Sequence, residues 1–339
     1  MKAFFDNRQL GHAPARELHN GDWAPYAESP DRAVAIRSVV AQWQPAGDFG
    51  LAPLLEVHSP QYLDFLAAAH QSWRAAGRDG DALGYAFPIV RRRPLVHDRI
   101  DAALGAYSYD AGTPVAAGTW DAAYWSAQCA LTALDWLATG ADALAFAACR
   151  PPGHHAGTDY MGGYCYLNNA AIAAREAQRR GLGPVAILDI DYHHGNGTQD
   201  IFYTDPDVFF CSLHADPKTD YPFYWGHADE RGEAAGLGTT FNLPLPRGTD
   251  ITGFAAALES GLAAIENWGA RLIILSFGAD TFFADPISHF ALRQDDYRQL
   301  GDMIAALKLP VLVVMEGGYA VDALASNVTA LLAGLGAAH

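Results

Sequence analysis

Cysteine is scarce. The 339 residues hold four, Cys129, Cys149, Cys165 and Cys211, none in a CxxC pair. That spacing excludes a cysteine-built zinc site or a disulfide framework, and it reads as buried free thiols in a reducing compartment. Positive charge is scarce too: 22 Lys and Arg stand against 38 Asp and Glu, a formal net charge of −16. A chain this acidic lacks the basic face that a phosphate backbone requires, which excludes nucleic acid as a partner. The balance suits solubility, and it suits cationic ligands. Long apolar runs are absent, so no membrane-crossing helix is expected. The opening MKAFFDNRQLG lacks the apolar stretch of a secretory leader. A soluble cytoplasmic protein with no membrane partner is the expectation. Repeats and biased tracts are also missing, consistent with a single domain over 1–339.

What is present is strand–helix alternation. Continuous apolar runs at 144–149, 185–189, 208–213, 272–277 and 311–315 read as central parallel strands covered on both faces. Helical patterns lie between them. One begins at Pro30 with Ser29 as its cap. Others cover 119–140, the stretch from Asn168 as cap to Gly181, 252–268, 295–307 and 321–335. The predicted fold class is α/β, a single-domain open parallel sheet with helices on both faces. Residues 76–118 are less regular and read as a long functional or interaction loop. Arg91 to Pro94 within it form a small basic cluster that reads as solvated or ion-paired.

Open parallel sheets bind ligands beyond the carboxyl ends of their strands, and chemistry gathers there in this chain. After 185–189 come Asp191 and His193, spaced by two from each other and from Asp189. In an extended chain they point the same way and can share a metal. Asp280, after 272–277, can supply a third ligand, leaving a position open as catalytic zinc sites do. Alone, the Asp-x-His pair reads as a hydrogen-bonded loop; the matching acid beyond another strand makes it a metal pattern. Gly153-His154-His155-Ala156-Gly157 follows 144–149, and a histidine beside metal-bound water is a natural general base. Tyr319 ends a glycine-pair turn after 311–315, where its hydroxyl could donate to an oxyanion. Gly195-Asn196-Gly197 looks like a dinucleotide fingerprint but has Asp200 where the third glycine belongs.

Taken together, RPPGHHA, DIDYHHGNGTQDIFY, SLH, SFGAD and MEGGY resemble, in order and spacing, the motifs of the histone deacetylase superfamily. ARELHNGDW, FPIVRRRP, AGTW and DPISHF make the chain most similar to the bacterial acetylpolyamine amidohydrolases. The resemblance implies an arginase-like fold and hydrolysis of an acetamide to acetate and free amine. It implies one zinc, or iron(II) in the cell, on Asp191, His193 and Asp280. His155 would be general base and then acid, His154 its electrostatic support, and Tyr319 the carbonyl-polarising hydroxyl. One structural potassium would take Asp189, Asp191, His193, Ser212 and Leu213; a second would lie near Phe202, Asp205 and Val208. Glu17, Asp101, Tyr164 and Tyr221 would contact substrate. A third acid of the family's long loop has Gly112 in its place, with Asp110 close by. Two-metal relatives carry acids where Gly195 and Gly278 stand, so a single divalent ion is implied. The expected substrate is a small cationic acetylated amine and the expected assembly a homodimer, the long loop shaping both site mouth and dimer contact. The rival readings are a broad protein lysine deacetylase, a non-catalytic acetyl-amine binding module, and a two-metal ureohydrolase. The complete set of histidines and tyrosine argues against a mere binding module.

Overall fold

Residues 1–89 and 97–337 are described by the computed structural model; the Arg91–Pro94 cluster lies outside them. The strands of the described residues are β1 (Lys2–Phe4), β2 (Arg16–His19), β3 (Asp22–Pro25), β4 (Leu144–Ala147), β5 (Val185–Asp189), β6 (Val208–Ala215), β7 (Thr240–Leu245), β8 (Leu272–Phe277) and β9 (Val311–Met315). Seven of them form one parallel sheet in the order β1-β4-β9-β8-β5-β6-β7, while β2 and β3 pair as a separate hairpin.

The apolar runs become strands because period-2 alternation serves two cores at once. Val185 and Ile187 of β5 pack on one face with helices Thr119–Ala138 and Asn169–Arg179. Ala186 and Leu188 pack on the other with Ile251–Trp268, Gln294–Ala305 and Val321–Gly334. All four of these β5 side chains are fully buried, and truncating a buried isoleucine or leucine typically costs about 2–5 kcal/mol.

The expected parallel sheet, with helices on both faces, is the observed architecture; helix ends fall within two residues of the sequence-based bounds except in the first, whose helical pattern runs on to Trp43 while the helix stops at Arg37. Asn168 caps its helix through Oδ1, which accepts from Ala171 N at 2.9 Å. Ser29 occupies the cap position of Pro30–Arg37 but makes no side-chain capping bond. Strands β1 and β7 and helices Pro60–Ala75 and Asn196–Phe202 are additional. The segment 76–118 is not wholly irregular: it contains helix Ile100–Ala106 and a bridge from Ala82 to Val115.

Register positions the chemistry. Asp189, the last residue of β5, stands level with Ser212 on β6 and Ser276 on β8. The chain therefore leaves β5 and β8 at the same height, and Asp191, His193 and Asp280 emerge at one sheet edge. Strands β4 and β9 deliver the histidine pair and Tyr319 to that edge.

Candidate active site

Asp191, His193 and Asp280 present donor atoms that all lie within 4.8 Å of one another. His193 Nδ1 is 3.1 Å from Asp280 Oδ2 and 3.3 Å from Asp191 Oδ1. Backbone donors orient both carboxylates. Gly317 N reaches Asp191 Oδ2 at 2.9 Å, His193 N reaches Asp191 Oδ1 at 2.9 Å, and Tyr192 N reaches Asp280 Oδ1 at 2.9 Å. Such preset ligands are what a metal site requires. Glycine allows the close approach: a Cβ on Gly278 would stand 2.0 Å from Asp191 Oδ2, and one on Gly317 2.5 Å from Asp280 Oδ2. Two buried carboxylates around one imidazole form a dense negative site. Burial lowers His193, but the hydrogen bonds its ring makes to the Asp191 and Asp280 carboxylates outweigh it and push it up to about 10. Burial and the Asp191 charge push Asp280 up to about 7. A divalent cation would relieve both perturbations, so the residues present fit one.

His154, Cys165 and Glu316 also converge. Their donors are committed elsewhere: Glu316 Oε2 accepts from Gly153 N at 2.7 Å and His154 N at 3.2 Å, and Cys165 Sγ donates to Gly163 O at 3.4 Å.

The two adjacent histidines lie in different electrostatic surroundings. His154 Nδ1 is 3.0 Å from Asp189 Oδ2. Burial opposes its charge, yet Asp189 and Asp191 raise it to about 10 and favour the cation. His155 Nδ1 is 2.7 Å from Asn196 Oδ1. Burial and the neighbouring His154 and His193 charges hold His155 well below the usual histidine range, so it is neutral. The acceptor Asn196 oxygen assigns the proton to Nδ1 and leaves Nε2 as a free base. Gly163, at φ +52°, gives way to the ring: a Cβ there would stand 2.2 Å from His155 Cδ2.

Tyr319 lies across the site, its ring 5.6 Å from that of Tyr164. Burial holds its hydroxyl well above the usual range, so it remains a donor. Its backbone N–H donates to Asp285 Oδ2 at 2.7 Å. Tyr221 packs edge-on against His155 at 5.2 Å and His193 at 6.0 Å.

A cavity of about 450 Å³ opens over these groups, with Glu17, Asp110, His155, Tyr164, Tyr221 and Tyr319 among its walls. Glu17 accepts from the Tyr164 hydroxyl at 3.0 Å through Oε1; its Oε2 is buried and has no hydrogen-bond partner among the described residues. Asp110 accepts from Gly163 N at 2.7 Å and from the Tyr221 hydroxyl at 2.8 Å, so the acid near Gly112 ties two walls together.

Asp101 departs from its expected place. It is not among the described residues that line the cavity; Arg78 at 2.6 Å and Arg99 at 2.8 Å both pair with its Oδ2, and its buried Oδ1 has no hydrogen-bond partner among the described residues. The reason is local: the segment that reads as loop forms helix Ile100–Ala106, and Asp101 in its first turn pairs with the flanking arginines. Of the potassium set, Asp189 and Ser212 are level on adjacent strands, and Ser212 Oγ contacts His214 Nδ1 at 2.8 Å. Near the second expected ion, the Asp205 carboxylate pairs with Arg175 and accepts from Asp207 N at 2.7 Å.

Sequence reasoning assigned no role to Asn196, Asp285 or Glu316. Each carried a signal: Asn196 follows the histidines inside a glycine turn, Asp285 opens the DPISHF stretch, and Glu316 is an acid at the end of an apolar strand.

Comparison with known proteins agrees with this geometry. The histone deacetylase domain family matches residues 28–335. Acetylpolyamine amidohydrolase 2 of Pseudomonas aeruginosa is 47% identical over 344 residues, spanning 100% of this chain and 99% of its own length. The acetylpolyamine amidohydrolase of Mycoplana ramosa is 45% identical over 338 residues, with 98% of each chain covered. A crystal structure of acetylpolyamine aminohydrolase from Burkholderia pseudomallei superposes with a TM-score of 0.95 at 38% identity, over 99% of each chain. With these similarities over nearly its whole length, the chain belongs to the histone deacetylase domain family.

Proposed function

We propose that this chain hydrolyses small acetylated polyamines or diamines to acetate and free amine. One divalent ion, zinc or iron(II), would be held by Asp191, His193 and Asp280. Bound there, it supplies a Lewis acid for the amide oxygen and for the attacking water. His155 Nε2 takes the proton of that water and returns it to the departing amine nitrogen. His154, a cation fixed by Asp189, stabilises the negative charge that develops. Tyr319 donates its hydroxyl to the former carbonyl oxygen. The clash that a side chain at Gly195 or Gly278 would make, 2.2 Å from Asp189 Oδ2 and 2.0 Å from Asp191 Oδ2, supports a single divalent ion. Asp189, Asp191, His193, Ser212 and Leu213 are proposed to hold a structural potassium.

The observation that carries the substrate class is Glu17. An unpaired carboxylate oxygen, buried in the wall of the same cavity as His155 and Tyr319, is a receptor for a distal ammonium. Relatives named acetylpolyamine amidohydrolases support the same class. A homodimer through the long loop is supported by the exposed apolar side chains of Tyr85 and Ile89, 71% and 66% accessible.

The test is a hydrolysis panel with defined metal: acetylspermidine, acetylputrescine and acetylcadaverine against acetyl-lysine peptides. Higher kcat/KM on the polyamines is expected; preference for the peptides would overturn the reading.

A further inference from the structure

Behind Tyr319 lies a buried ionic group that the proposed chemistry does not touch. Glu28 and Arg32 have no exposed surface and Arg150 has 1%. Glu28 Oε1 accepts from Arg32 Nη1 at 2.6 Å and lies 2.9 Å from Arg150 Nε. One carboxylate oxygen thus accepts from one guanidinium and lies within ion-pair distance of a second.

The arginines lead to different loops. Arg32 Nε donates to Gly318 O at 2.6 Å and Nη2 to Glu316 O at 2.5 Å, the two carbonyls that bracket Gly317 in the turn before Tyr319. Its guanidinium stands 4.9 Å from the Tyr319 ring. Arg150 begins the segment that carries His154 and His155. It anchors that segment to the amino-terminal residues, donating to Gln9 O at 2.8 Å, His12 O at 2.7 Å and Glu28 O at 2.8 Å.

A glycine-pair turn has wide conformational freedom, and Gly318 sits at φ +119°. Asp285 secures the amide side of this turn and Arg32 its carbonyl side. A guanidinium aimed at two carbonyls needs its own orientation fixed, and Glu28 fixes it. Buried ion pairs are weak evidence for stability, because desolvation offsets their attraction. Retaining one here is explained by geometry.

We propose that Glu28 is a positioning residue, fixing the tyrosine-bearing turn by holding the Arg32 guanidinium that grips its carbonyls. The assignment rests on Tyr319 as the oxyanion donor. It predicts that loss of Glu28 acts through the Tyr319 hydroxyl.

A double-mutant cycle tests this, since residues acting through one group are non-additive. Glu28→Gln, Tyr319→Phe and the double variant are assayed for kcat, KM and bound metal. Glu28→Gln is expected to lower kcat at least ~10-fold, with KM within about twofold and metal content unchanged. In the Tyr319→Phe background the same change should cost less than about twofold. Losses that multiply, or a Glu28→Gln enzyme at the parent rate, overturn the positioning role. Tyr319→Phe at the parent rate instead overturns the proposed chemistry, so the two failures are distinguishable. If Glu28→Gln does not fold, Glu28→Asp carries the same cycle. It keeps the charge, withdraws the carboxylate by one methylene, and should show a smaller loss that also vanishes without the Tyr319 hydroxyl.

Discussion

The side-chain oxygen of Asn196 lies 2.7 Å from His155 Nδ1, and this contact decides which imidazole nitrogen is free to act as a base. An uncharged partner leaves His155 easy to deprotonate, because burial and the neighbouring His154 charge already disfavour its cation. A carboxylate in the same place would reverse that balance.

Asn196→Asp is therefore expected to raise the pKa of His155, because a carboxylate beside the ring favours its cation. The base then stays protonated to higher pH, so the acid limb of kcat/KM moves upward and activity at pH 6 falls most. A pH–rate series on both proteins measures it; an unmoved acid limb would remove His155 from the role of base.

Tyr319→Phe should keep its metal and lose most of its activity, about 3–4 kcal/mol of barrier, because one oxyanion donor is deleted. Metal analysis alongside kcat separates this from collapse of the site. The parent turnover in that variant would contradict the donor role.

Removing the metal should abolish turnover, and readdition should restore it at one ion per chain. His193→Ala and Asp280→Ala should each fail to retain the ion, since three ligands leave little redundancy. Two equivalents in the parent enzyme would favour the two-metal reading instead.

Glu17 provides a pH test at the other end of the cavity. Burial, aided by the Asp110 charge and opposed by the Tyr164 hydrogen bond, raises Glu17 to about 7. As pH falls through that value the carboxylate takes a proton and loses its attraction for an ammonium, so KM for acetylspermidine should rise. Glu17→Gln should raise KM roughly tenfold at pH 8 and flatten this dependence, a change of about 1.4 kcal/mol. Equal KM in the two proteins across pH 6–8 would dismiss Glu17 as the cation receptor.

Much of this molecule was legible from residue order. Continuous apolar runs marked β5, β8 and β9 because a strand buried on both faces has no polar positions to offer. Acids and histidines at the ends of those runs marked the site because unscreened polarity next to a core is costly unless it is used. Helix Ile100–Ala106 was missed because its seven residues are too few for periodicity to stand out. Its Asp101, read as a substrate contact from the family resemblance, pairs with Arg78 and Arg99.

The kinds of chemical group available, and the strands that carry them, are local properties written along the chain. Which of those groups meet is not local. Asp191 and Asp280 are neighbours because β5 pairs with β8 in register, and Glu28 reaches the Tyr319 turn through Arg32, 286 positions from Gly318. Spacing along a chain carries no distance across a crossover; only the order in which strands pair and helices pack converts separated residues into one cavity.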